Sequence, residues 1–183
     1  VLKISKDPAL GDTLHHIYWG NALADHAVSY LPCTDHIEIN SFDEALQLPP
    51  FAYPTSGRGD FRPAALRAIG EDGTDCVFLQ YDGYHTVKGK PRLPGLPAVY
   101  AEADTLLIHM HDSKTGLKVT LCYTVLPKLH ILTQSVLIEN NGSQPITLYN
   151  PASCCITLRG AYDMLHLHGA WAKERHVERT APM

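Results

Sequence analysis

A strict two-residue alternation runs through the middle of the chain, and it constrains the fold more than any other feature. Leu117, Val119, Leu121, Tyr123 and Val125 alternate with Lys118, Thr120, Cys122 and Thr124. Successive side chains of a strand point to opposite faces, so this pattern predicts a half-buried strand with the first row inward. Upstream, Leu106, Ile108 and Met110 alternate with Thr105, Leu107, His109 and His111. Asp112-Ser113-Lys114-Thr115-Gly116 lies between the two runs and predicts a hairpin.

The same reading extends outward. Glu71-Asp72-Gly73 is a turn expected to join Leu66–Ile69 to Cys76–Tyr81 in a second hairpin. Asn140-Asn141-Gly142-Ser143-Gln144-Pro145 is expected to join Gln134–Ile138 to Ile146–Tyr149 in a third. Leu14–Trp19 reads as a further apolar strand. Helical signal is confined to Asp43–Leu48, stopped by Pro49-Pro50. Thirteen prolines and thirteen glycines punctuate these short runs. The expectation is an all-β, antiparallel β-sandwich forming a single domain over residues 1–183. The stretch Tyr30–Arg62 reads as a long exposed loop, the kind that carries function.

Composition narrows the function classes. A net charge of −4 argues against nucleic acid, which is held by clustered Lys and Arg. No apolar run approaches the roughly 20 residues that span a bilayer, and the start at Val1 carries no signal-peptide core. The chain is therefore expected to be cytoplasmic, away from membranes and trimmed at its start. Five cysteines without a C-x-x-C pair read as reduced thiols, with Cys154 and Cys155 on opposite faces of a strand.

Several segments resemble, in order, the N-terminal domain of glycoside hydrolase family 36 α-galactosidases. They are Leu14-His15-His16-Ile17-Tyr18-Trp19-Gly20; Gly59-Asp60-Phe61-Arg62 with Pro63 and Ala64; and Gly89–Tyr100, with its Gly-Lys-Pro start and Gly-Leu-Pro-Ala centre. The Thr105–Asp112 and Gly116–Thr124 runs follow, then Leu132–Ser135, the Asn140-Asn141-Gly142 turn, and Leu167-His168-Gly169-Ala170-Trp171-Ala172-Lys173-Glu174-Arg175. Gln134 and Lys173 stand where that family usually has arginine.

The resemblance implies a supersandwich of the galactose-mutarotase-like kind, of which this chain would be a partial domain. It implies a separate (β/α)8 barrel, absent here, that carries the two carboxylates of a retaining hydrolase, about 5–5.5 Å apart. It implies terminal α-galactosides of the melibiose or raffinose type as substrate, homo-oligomers, and an N-terminal domain that reaches a neighbour's active site. The chain itself is expected to be inactive, to hold no cofactor, and to self-associate through exposed sheet edges. A free-standing carbohydrate-binding module and a cupin-like metal protein are the alternatives.

Individual residues carry competing readings. Asp60 and Arg62 suit sugar hydroxyls, since each makes paired planar hydrogen bonds, and equally suit an ion pair that pins a loop. Trp19 and Trp171 could each stack on sugar; Trp19, in an apolar strand, is expected rather in the core. Trp171 and Arg175 are expected at an interface or against sugar, with a core role as the rival reading for Trp171. His109 with His111, and His166 with His168, have the i, i+2 spacing of metal ligands. With no Glu or third His evident nearby in sequence, they are expected to be solvent-facing strand residues and no metal site is assigned.

Overall fold

A computed structural model describes residues 1–6, 11–31, 49–57, 60, 62–95, 102–158 and 160–181. The expected helical turn at Asp43–Leu48, most of the Tyr30–Arg62 loop, Cys33, Gly59 and the Leu96–Tyr100 part of the proline-rich segment lie outside the described residues. The strands are β1 (Leu2–Ser5), β2 (Thr13–His16), β3 (Arg67–Gly70), β4 (Gln80–Lys88), β5 (Asp104–His111), β6 (Leu117–Leu126), β7 (Ile131–Asn140), β8 (Ile146–Tyr149), β9 (Met164–Leu167) and β10 (Val177–Thr180). Among the described residues, one helical turn, α1 (Asp25–Val28), and a 3-10 turn at Pro127–Leu129 accompany these strands. The all-β, antiparallel expectation holds, and both helical pieces were invisible to periodicity.

The main sheet has the order β4-β5-β6-β7, with every pair antiparallel. The predicted β5–β6 hairpin is present, with Ile108 opposite Leu121 and Met110 opposite Val119. Its turn is built around Asp112, which is 2% exposed. The carboxylate accepts hydrogen bonds from the Lys114 N–H (3.2 Å) and the Thr115 hydroxyl (2.7 Å). A buried acid needs such partners.

Two pairings differ from expectation. The turn after β3 exists, closed by Asp72 accepting from the Thr74 N–H and hydroxyl. The returning segment, however, does not pair with β3. It lies against residues 55–57 through Val77 N–H to Ser56 O, Thr55 hydroxyl to Val77 O and Ser56 hydroxyl to Asp75, and touches β3 by the side-chain ion pair of Asp75 with Arg67. The Asn140 turn also exists, with the Asn140 side chain bonded to Gln144 O and the Gly142 N–H. There β7 spends one edge on a ten-residue ladder with β6, and β8 departs to pair with β3, Arg67 opposite Tyr149 and Gly70 opposite Ile146. That departure sets Ile146 against the core.

The core joins Ile108, Met110, Leu117, Val119 and Leu121 of the sheet to Leu14, Tyr53, Leu66, Ala68, Val77 and Leu79. Along β6 the buried face changes. Leu117, Val119 and Leu121 are covered on one side, whereas Thr124 (2% exposed) and Leu126 are covered on the other and Val125 is 48% exposed. Thr105, opposite Thr124, donates to Gly89 O at 2.7 Å and accepts from the Thr124 hydroxyl at 2.8 Å. The expected inward place of Val125 is thus corrected. Cys154 and Cys155 lie outside any strand, one exposed and one half-buried; they, Cys76 and Cys122 are free thiols.

Two stability predictions follow from these packings. Gly116 has φ +77°, and a Cβ there would come within 2.6 Å of Gly142 N; Gly73 has φ +78° with nothing near. Gly73→Ala is expected to cost about 1–2 kcal/mol from left-handed backbone alone, and Gly116→Ala clearly more, in parallel urea titrations. The second concerns His16, whose ring nitrogens are shielded and without partners. Burial, then the charge of the N-terminal ammonium, lowers its pKa. The folded state therefore binds fewer protons than the unfolded one, so this contribution is present above the ordinary histidine range and lost as pH falls below about 6.5. The urea midpoint should drop between about pH 7.5 and 5.5, and His16→Leu should shrink that drop.

Candidate functional site

Asp60 and Arg62 are brought together. Arg62 Nη1 lies 3.2 Å from Asp60 Oδ2, and the Arg62 N–H donates to Asp60 Oδ1 at 3.1 Å. The Phe51 N–H approaches Oδ2 at 3.5 Å, tying this loop to the segment beside β2. The Asp60 side chain is 6% exposed and that of Arg62 is 21% exposed. Asp60 is thus committed to holding its own loop, and Arg62 is the member that keeps a solvent-facing part. The pair borders the half-buried Cys155, whose thiol burial pushes up, Asp60 adding to the shift and Arg62 opposing it. Tyr53, nearby in the core, donates to Ala152 O at 2.8 Å, and burial raises its hydroxyl to about 12.

Trp19 is not a core residue. β2 ends at His16, the chain then turns to bond Val1 O through Ile17 and Tyr18, and Trp19 is left 42% exposed. It lines an open apolar groove of about 530 Å³ with His16, Leu14, Tyr84, Leu106 and Tyr123.

Trp171 is 91% exposed, on the loop between β9 and β10. Ala172 and Arg175 of that loop are in left-handed backbone, φ 61° and 67°. The Trp171 ring therefore stands in solvent and takes no part in the core.

The two histidine pairs differ. His109 stacks on His85 (5.0 Å between centroids) and bonds Thr120, while His111 contacts Asp82 at 2.7 Å. His166 and His168, in contrast, meet Glu178 from β10: His168 Nε2 is 2.5 Å and His166 Nε2 3.4 Å from its Oε2. The expectation that no carboxylate or third histidine completes this pair is overturned, since β9–β10 pairing places Glu178 opposite His166. The hydrogen bond from His168 is the main cause holding the Glu178 carboxyl below its usual range. Among the described residues the other carboxyls with displaced acidity, Asp72 and Asp75, are also lowered, by hydrogen bonds from Thr74 and Ser56 respectively. A glycosidic general acid needs the opposite shift. No helix among the described residues is long and apolar enough to cross a membrane.

Known proteins place this chain. It is 38% identical to the α-galactosidase AgaA of Geobacillus stearothermophilus, over 91% of this chain and 24% of that protein. It is 39% identical to α-galactosidase C of Emericella nidulans, over 69% of this chain and 18% of that protein. The crystal structure of AgaA in complex with raffinose superposes with a TM-score of 0.80 at 35% identity, covering 98% of this chain and 26% of the other. An α-galactosidase from Lactobacillus brevis gives 0.78 at 27% identity. The chain thus spans about a quarter or less of these relatives' lengths. The glycosyl hydrolase family 36 N-terminal domain matches residues 12–183, and the chain belongs to that family.

Proposed function

We propose that this chain serves as the non-catalytic N-terminal β domain of a cytoplasmic, homo-oligomeric α-galactosidase that cleaves terminal α-galactosides of the melibiose or raffinose type. The observation that carries this reading is that the match to a raffinose-bound relative covers 98% of this chain but only 26% of the relative, while the family 36 N-terminal domain matches residues 12–183. A retaining hydrolase needs one acid held high and a nucleophile beside it. The barrel supplies both.

In this reading the domain contributes contacts rather than chemistry. Asp60 orients Arg62, and the exposed part of the guanidinium meets sugar hydroxyls at the rim of an active site. Trp171 and Arg175 pack against another subunit.

Three outcomes test this. The 183-residue chain alone should release no galactose from raffinose. In the intact enzyme, Arg62→Ala should raise KM at least about tenfold, the size of a lost charge-assisted hydrogen bond, with the melting temperature unmoved. Unchanged kinetics would remove Arg62 from the site, and a matching fall in melting temperature would make the ion pair a loop pin. Trp171→Ala should weaken subunit association at least about 30-fold, as loss of a buried aromatic anchor does, in sedimentation velocity experiments. An unchanged assembly would place this ring outside the interface.

A further inference from the structure

We propose that His166, His168, His176 and Glu178 form a binding site for one divalent transition-metal ion, Zn²⁺ by its chemistry, that staples the β9–β10 hairpin. The proposal is independent of any role in sugar binding.

The register supplies the first argument. His166 is opposite Glu178, and two residues along, past the Leu167–Val177 pair, the His168 N–H donates to His176 O at 3.1 Å and sets those two residues side by side. Residues two apart on a strand share a face, and so do residues opposite each other. The four side chains therefore occupy the corners of one small square on one face of the ribbon. In sequence this is His-x-His, seven residues, then His-x-Glu.

Distances supply the second. Ligand atoms of His166, His168 and Glu178 all lie within 4.8 Å of one another. Around a tetrahedral zinc, with bonds near 2.0–2.1 Å, neighbouring donors are roughly 3.3 Å apart. The His166–Glu178 separation of 3.4 Å already meets this. The 2.5 Å contact of His168 with Glu178 lengthens as an ion takes the place of the shared proton. The His168 and His176 ring centroids are 5.7 Å apart, so His176 borders the three-ligand cluster and is the side chain an ion would draw in as a fourth ligand. His166 Nδ1 is shielded and makes no hydrogen bond, so Nε2, which faces Glu178, is the nitrogen offered to an ion. Three imidazoles and a carboxylate make a nitrogen-rich set that suits Zn²⁺ and not Ca²⁺ or Mg²⁺.

The hairpin supplies the third. β9 and β10 pair with each other and with no other described strand. A lone two-stranded ribbon is marginal in water. This one nevertheless holds Ala172 and Arg175 in left-handed backbone, a conformation that needs support from its surroundings. A metal bridging both strands on either side of the Leu167–Val177 pair provides that support and fixes the loop bearing Trp171.

The test uses tag-free protein dialysed against EDTA and titrated with Co²⁺, read by its visible ligand-field absorption and then displaced with Zn²⁺. One Co²⁺ per chain, with the intense bands of low-coordinate cobalt and full displacement by one Zn²⁺, is expected. His168→Ala and the nearly isosteric Glu178→Gln should each lower Co²⁺ affinity at least about 100-fold, more than the loss of an outer partner costs a metal site. His85→Ala, which alters the other histidine stack, should leave it unchanged. Absent bands overturn the proposal. So does affinity that survives both site variants, or that falls equally with His85→Ala.

Discussion

The pairing of β6 with a neighbour on each side is what the rest of the molecule leans on. Ten consecutive rungs tie it to β7 and eight to β5, so its backbone groups are used along its whole length. That places Leu117, Val119 and Leu121 in a fixed row opposite Met110 and Ile108. Every other part of the core, from Leu14 to Leu79, is arranged against this row. Short strands such as β2 and β3, four residues each, are too small to hold an apolar surface unaided. The row gives them something to pack on.

What could be read in advance was what is local. The β5–β6 hairpin announced itself because its two runs alternate and its turn carries Asp112 and Gly116 within a few residues. The β3–β8 pairing had no such signal: Arg67 and Tyr149 are far apart in sequence, and nothing in either neighbourhood names the other. Both misassigned hairpins share that cause, since the turns were sound and the strands on either side were bound for other partners. Trp19 was misplaced because alternation does not mark where a strand stops, and β2 stops three residues short of it.

The candidate site divides the same way. The ordered motifs identified Asp60, Arg62, Trp171 and Arg175 as residues of interest, but not what they touch. That Asp60 is consumed by its own loop depends on Phe51 and on burial, both set by tertiary packing. Glu178 escaped notice because the loop separating it from His168 has none of the usual turn residues where the backbone goes left-handed: Ala172 and Arg175 hold those positions. A reader matching turn chemistry to strand pairing would not bring β10 back onto β9 there.

The change of covered face along β6 has a consequence for how this strand can drift over evolutionary time. At one end a lineage is free to vary Lys118 and must keep its aliphatic neighbours. At the other the freedom passes to Val125, an apolar residue in solvent, and the restraint falls on Thr124, whose hydroxyl completes a relay through Thr105 to Gly89. Ranking substitutions in this strand by hydrophobicity would therefore invert halfway along it, protecting a replaceable valine and sacrificing a threonine that ties β6 through β5 to the residue after β4.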